Sequence, residues 1–360
     1  MILSTDVGSL PFENDQEKFN AAFKDFQKTH VHDLNRELQQ RIVKGFLDKL
    51  NAGIDVPNFP QFRDMSQMFL QLIKGLEKIE GGYIETDVLC IKDGEGRIPE
   101  MEALRTNAKQ IAEKIGKPVK IRFCISGPYT LSRLFAYKNA QTLTRLGNVL
   151  AEIIEQNLFQ YKNCAVAMVS VDEPVFGIVD DPLLDPGSEG REALLKAWEN
   201  MFHRAATKNV ETYLHLHSSS DELFWDIEKL KVIDFPVNDP IYQAKTVKHK
   251  LENRDKFLKA SICITEFDAL IRKKLEATHN RNVSPQEIGE TWKQITNGTI
   301  NPETFLEEVE VMEKRLQKIV NLFGVERIPY AGPECGLRGF PTYECAIECL
   351  KRIATVINGF

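Results

Sequence analysis

Short apolar segments of strand length recur along this chain, each followed by a polar or Gly/Pro-rich cluster and then by helical sequence. That alternation is the strongest constraint on its fold. Strands joined through helices pair in parallel, because a hairpin turn cannot return the chain in the same direction. The segments expected as strands are 2–5, 53–57, 119–124, 165–171, 213–217, 232–237, 257–264 and 327–331. Helices are expected over 35–50, from 63 to about 79, 100–115, from 130 to about 160, 191–208 and 342–357. Gly116 supplies a natural C-terminal stop for the third of these. Ser284-Pro285-Gln286-Glu287 reads as a capping box with proline at the first helical position, and Asn301-Pro302 opens a long helix that Gly324 stops. A polar excursion at 81–97 reads as an added hairpin.

About eight strand–helix units in 360 residues, with no internal repeat, linker or low-complexity tract, predict a single (β/α)8 TIM-type barrel with small insertions, one domain over 1–360. An open doubly wound sheet is the alternative, but no Gly-x-Gly-x-x-Gly follows the first strand and no Walker-type phosphate loop is present. The formal net charge of -6 gives no reason to expect nucleic acid or an anionic membrane as partner. No apolar run approaches the roughly 20 residues of a membrane span, and the first residues lack the basic and apolar regions of a signal peptide, so a cytoplasmic location is expected. The seven cysteines, an odd number, are read as free thiols. Cys124, Cys164 and Cys263 fall in or beside apolar runs, Cys345 and Cys349 on a helix, and Cys335 alone in a Gly/Pro loop.

The polar clusters fall just after strands: Ser9, Gln61-Phe62-Arg63-Asp64, Asp172-Glu173, His215 and His217, Asn238-Asp239, Glu266 and Cys335. A barrel brings such positions to one mouth, where chemistry is assembled. In Tyr213-Leu214-His215-Leu216-His217, side chains alternate faces, so the two imidazoles share one face and the two leucines the other. A thiol at Cys335, offered from another strand end, joins them as the start of a zinc site. A buried histidine is often merely hydrogen-bonded, and a cysteine merely a small apolar residue. Ser219 with Glu222 reads as a further capping box. Gly8-Ser9 forms a tight turn where glycine lets backbone amides approach a ligand.

Several of these stretches resemble the cobalamin-independent methionine synthase family, in its zinc-bearing catalytic barrel: Val7-Gly8-Ser9-Leu10-Pro11, Ser126-Gly127-Pro128-Tyr129-Thr130, Val171-Asp172-Glu173-Pro174 and Gly332-Pro333-Glu334-Cys335-Gly336-Leu337. The resemblance is collinear from 2 to about 357 and is to short, single-barrel members. It implies a methyltransferase that moves a methyl group to a zinc-activated thiol, homocysteine giving methionine. The family's zinc is held by a His-x-Cys pair, a Glu and a Cys. Here His217 and Cys335 carry over, Ser219 stands where the pair has cysteine, and Asp239 lies nearest the place of the Glu, with His215 a further candidate ligand. The resemblance gives Asp172, His217 and Cys335 catalytic roles. Asp172 would hold the acceptor's amino group and the Gly8-Ser9 turn its carboxylate. Gln61, Asp64 and Glu173 complete the expected substrate contacts. The tryptophan that stacks a pterin in folate users is absent after Thr130, which favours methylcobalamin over methylfolate as donor and a corrinoid protein as partner. The alternatives are a methylcobamide–thiol transferase of coenzyme M type, a decarboxylase-like relative, or a barrel without catalysis that binds a small acid or a corrinoid protein.

Overall fold

A computed structural model describes residues 1–12 and 36–360 of the chain. Its centre is a five-stranded parallel sheet in the order β4-β5-β6-β7-β8, formed by Val119–Ser126, Cys164–Glu173, Glu211–Leu216, Val232–Asp234 and Phe257–Leu258. A three-stranded parallel sheet runs β1-β10-β9, from Leu3–Ser4, Tyr330–Pro333 and Ala260–Cys263. Lys259 alone separates β8 from β9, so the strand expected over 257–264 is interrupted at one residue. The segment expected as a strand at 53–57 contributes one isolated parallel bridge instead, Thr5 with Val56, and Asn58 just beyond it bridges to Arg122.

Alternation sorts the side chains as the apolar runs require. Leu214 and Leu216 belong to the large helix-covered core, as do Val169, Val171 and Ile233. The opposite faces supply Met168, Tyr213 and Val232, which form a separate small cluster with Phe257 and Tyr330 packed against it. Five strands thus send side chains into one inner layer. Outside, the helices Ala140–Asn157 (α6) and Glu189–Ala206 (α7) lie so close that a Cβ on Gly147 would stand 2.4 Å from the Ala197 Cβ.

Two of the expected helices change. The helix foreseen from 63 to about 79 is a single turn, Gln67–Leu70, followed by an antiparallel hairpin, Ile73–Ile79 (β2) with Gly82–Ile91 (β3). Apolar residues at 69, 70, 72, 73, 76 and 79 imitate a helical stripe. Gly75 and the Gly81-Gly82 turn, all at positive φ, favour the paired strands instead. The long helix expected from Asn301 is a 3-10 turn, Pro302–Phe305, then a break, then Val309–Phe323 (α11). The break inserts Glu307, whose buried carboxylate accepts from the Ile264 N–H and from Arg315 and Lys273. The helix expected over 35–50 is Arg36–Asn51 (α1), position 35 lying outside the described residues. The Ser284 capping box is present, and Thr342 caps the last helix, Tyr343–Gly359 (α12). Among the described residues no helix is long and apolar enough to cross a membrane.

Candidate metal and thiol site

The site grows from the register of three neighbouring strands. Asp172 on β5 is paired with His215 on β6, and His215 with Asp234 on β7. All three side chains point away from the leucine-bearing face. His217 stands one residue past the end of β6, with its ring 5.1 Å from that of His215 and nearly perpendicular to it. Cys335 enters from the loop after β10, its Sγ 3.4 Å from His217 Nε2. His215, His217 and Cys335 offer three ligand atoms within 4.8 Å of one another.

Backbone ties hold the Cys335 loop in place. The Glu334 carboxylate accepts from the Val237 N–H and the Thr265 N–H, both at 2.9 Å. The Glu334 N–H donates to the Cys263 carbonyl and the Leu337 N–H to the Ser9 carbonyl. Gly336 packs against the Ser9 side chain, where an added Cβ would lie 1.9 Å from Ser9 Oγ. The Gly8-Ser9 turn expected to meet substrate is therefore part of the wall around Cys335. Behind it Lys49 donates to Asp6 at 2.7 Å and to the carbonyls of Gly8 and Asn58.

Charge explains the state of the thiol. Burial by itself would raise the Cys335 pKa, but His215 and His217 outweigh it and bring it down to about 6. His215 moves the other way. Burial opposes its charge, yet Asp234 and Cys335 lift its pKa to about 10. Asp234 is held below the ordinary carboxylate range, burial being outweighed by Lys259 and His215. Without metal the centre is a thiolate beside an imidazolium. In chelator-treated protein, alkylation of Cys335 by iodoacetamide should accordingly rise through pH about 6 and level off by neutrality. Peptide mass spectrometry reads the rate. A rate that climbs steadily beyond pH 8, as for an ordinary thiol of pKa about 8.5, would contradict this electrostatic picture.

The remaining expected residues divide. Asp172 is buried at the centre, accepts from Ser170 Oγ at 2.6 Å, and is linked through that hydroxyl to Arg122. Burial raises its pKa while His215 and Arg122 oppose the rise. Gln61 bridges to Ser9 and turns its amide toward the sulfurs of Met68 and Cys124. Asp64 is exposed and accepts from the Ser66 and Gln67 N–H groups, so it shapes a turn rather than the centre. Glu173 points to the outer face of β5. It is fully buried and accepts from the Tyr129 and Thr130 N–H groups, the Thr130 hydroxyl and Trp198 Nε1. That saturation makes it a structural acceptor for the turn after β4. Asp239 accepts from Ser219 and from the Ile241 N–H and stands outside the three-residue group. The Ser219–Glu222 capping box does not form, because Ser219 is taken by Asp239 and a 3-10 turn, Leu223–Asp226, follows.

Three residues were not foreseen: Asp234, Lys259 and Arg122. Each is a charge standing inside an apolar run, in Val232-Ile233-Asp234-Phe235, Phe257-Leu258-Lys259-Ala260 and Ile121-Arg122-Phe123. Since burying a charge without a partner is costly, an isolated charge in such a run signals a partner on a neighbouring strand.

The parallel α/β fold brings a thiol with a lowered pKa beside two imidazoles, a donor set that suits a metal ion. The sequence profile of the cobalamin-independent synthase catalytic domain matches residues 1–268, and the chain belongs to that family. It is an enzyme of the methionine synthase-like S-methyltransferase class. Methionine synthase of Sulfolobus acidocaldarius is 20% identical over 319 residues, covering 87% of this chain and 79% of that one. The solved structure of a B12-independent methionine synthase from a Shewanella species, in complex with selenomethionine, superposes with a TM-score of 0.61 at 12% identity, covering 100% of this chain and 98% of that one. A methyltransferase from Methanosarcina mazei gives 0.53 at 14% identity, covering 100% and 95%. A cobalamin-independent family lends no support to methylcobalamin as donor or to a corrinoid protein as partner, the expectations drawn from the missing tryptophan.

Proposed function

We propose that this enzyme transfers a methyl group to the sulfur of homocysteine, giving methionine, at a zinc site made by His215, His217 and Cys335. The observation that carries the reading is the convergence of those three side chains from two distant chain segments, the end of β6 and the loop after β10. Their chemistry suits zinc: two imidazoles and a thiolate are its preferred donors, and three protein ligands leave a position free, as catalytic sites do. His215 Nε2 is buried without a hydrogen-bond partner, which a metal would supply. When bound, zinc lowers the pKa of a thiol and keeps it a thiolate at neutral pH.

The protein's own groups do the rest. Asp172, in register with His215, is read as the partner of the acceptor's ammonium. The Gly8-Ser9 turn, against the Cys335 loop, is read as the seat of the acceptor's carboxylate. Of the two donors considered, the family's independence of cobalamin leaves methylfolate as the one to test first. The architecture that suits this is a closed (β/α)8 barrel in one domain. Supporting it, Lys259 alone interrupts β8–β9, bridges link Thr5, just past β1, to Val56 and Asn58 to β4, and side chains of five strands share an inner layer.

Elemental analysis of protein purified without added metal should find about one zinc per chain, and methylfolate with homocysteine should yield methionine. Protein without zinc, or without methionine formation from either donor, would end this reading. The acceptor is tested separately by Asp172→Asn. A charge-assisted hydrogen bond of roughly 1.5–3 kcal/mol predicts a loss of about tenfold or more in kcat/KM for homocysteine. Zinc content should be unchanged. A thiol without an amino group, such as 2-mercaptoethanesulfonate, should lose far less. Equal losses for the two thiols would remove Asp172 from amine recognition.

A further inference from the structure

We propose that Asp234, held from behind by Lys259 and Ser261, is the positioning residue that presents His215 to the metal. The proposal rests on the zinc reading above but is drawn from different contacts. Asp234 Oδ2 lies 2.9 Å from His215 Nδ1. An ionised carboxylate can only accept, so the ring must carry its proton on Nδ1, and Nε2 is the atom left to face His217 and Cys335. The other oxygen, Oδ1, accepts from Lys259 Nζ at 3.0 Å and Ser261 Oγ at 2.9 Å. Lys259 also donates to the carbonyl of Pro333, two residues before Cys335. One buried Lys–Asp pair thereby fixes the imidazole from β6 and the backbone leading to the thiol.

Stability alone gives a poor account of this pair. Asp234 and Lys259 are both wholly buried, and the desolvation of two charges usually consumes what their attraction returns. Orientation gives a better one. Metal-binding histidines commonly donate their second N–H to a carboxylate, which settles the tautomer and the plane of the ring.

The contacts predict what Asp234→Asn would do. Two donors, Lys259 and Ser261, meet at Oδ1, so the amide oxygen must occupy that position. The amide nitrogen then takes the place of Oδ2 and donates to His215 Nδ1. The ring is driven to the opposite tautomer, with its proton on Nε2 and no lone pair for the metal. The substitution keeps size and shape and reverses the one property proposed to matter.

Two readouts besides turnover test this. In chelator-treated, 15N-histidine-labelled wild type, His215 should show a slowly exchanging, downfield Nδ1–H proton, assigned by its loss in His215→Gln. Asp234→Asn should lose that proton, and its zinc affinity, measured by competition with a chromophoric chelator, should fall about 10–100-fold while far-UV circular dichroism stays that of wild type. A wild type without the Nδ1–H proton overturns the proposal whatever the metal result, and needs no variant to fold. Wild-type affinity in Asp234→Asn overturns it too. Wild-type affinity in His215→Gln removes His215 from the ligand set and the metal role of Asp234 with it. Absence of zinc from wild type overturns the zinc reading and, with it, the presentation of His215 to zinc, whereas bound zinc without the Nδ1–H signal overturns the positioning by Asp234 alone.

Discussion

Cys335→Ser should strip zinc from the protein, with affinity falling by more than the roughly 10–100-fold that the partners of metal ligands are worth. The sulfur is the one thiolate in the cluster, and a serine hydroxyl at the same place stays protonated and binds zinc poorly. Two imidazoles would remain, too few for a stable site. The effect extends to stability, because a metal that binds only the folded chain adds about 2.7 kcal/mol when present at a hundred times its Kd. Elemental analysis after dialysis, together with thermal melts with and without added zinc, checks both parts. Full zinc retention in Cys335→Ser would remove Cys335 from the ligand set.

The second large effect lies beneath the site. Lys49→Met should destabilise the protein by about 3–5 kcal/mol, the usual consequence of leaving a buried ion without its partner. Lys49 Nζ is wholly buried, and burial depresses its pKa against the pull of Asp6. It gathers the Asp6 carboxylate and the carbonyls of Gly8 and Asn58 into one knot, and Asp6 in turn accepts from the Asn58 N–H. In the variant Asp6 Oδ2 loses its ammonium partner and the Gly8 and Asn58 carbonyls each lose one donor. The double variant Lys49→Met with Asp6→Asn should recover a large part of the loss, since removing both ions also removes the unpaired charge. Urea titration measures the difference. A loss under about 1 kcal/mol in the single variant would mean that water replaces the ammonium there.

Much of the architecture is legible in the chain because it rests on local patterns. The strand at 213–217, with leucines and histidines alternating, could face its neighbours in only one way once Leu214 and Leu216 were covered by helices. The Ser284 capping box and the Gly116 stop are likewise complete within a few residues. The first arm of the hairpin, at 73–79, was hidden because its apolar spacing also suits a helix, and only pairing with the second arm decides between them. The break before α11 was hidden because its cause, the burial of Glu307 beside Arg315, joins residues that local propensity does not connect.

The same division runs through the site. Sequence by itself determined which residue types stand at the strand ends: His215 and His217 on one face of a strand, a thiol in a Gly/Pro loop, and Asp172 closing an apolar run. It could do so because strand periodicity and turn chemistry act over a few residues. Tertiary structure alone decided which of them meet. It joined Cys335 to His217 across 118 positions, turned Glu173 outward to Trp198, and drew Asp239 to Ser219 and away from the cluster. It also set Asp234 and Lys259 behind His215. Register between strands fixes such pairings, and register follows from the packing of the whole sheet, where each buried charge must find its partner.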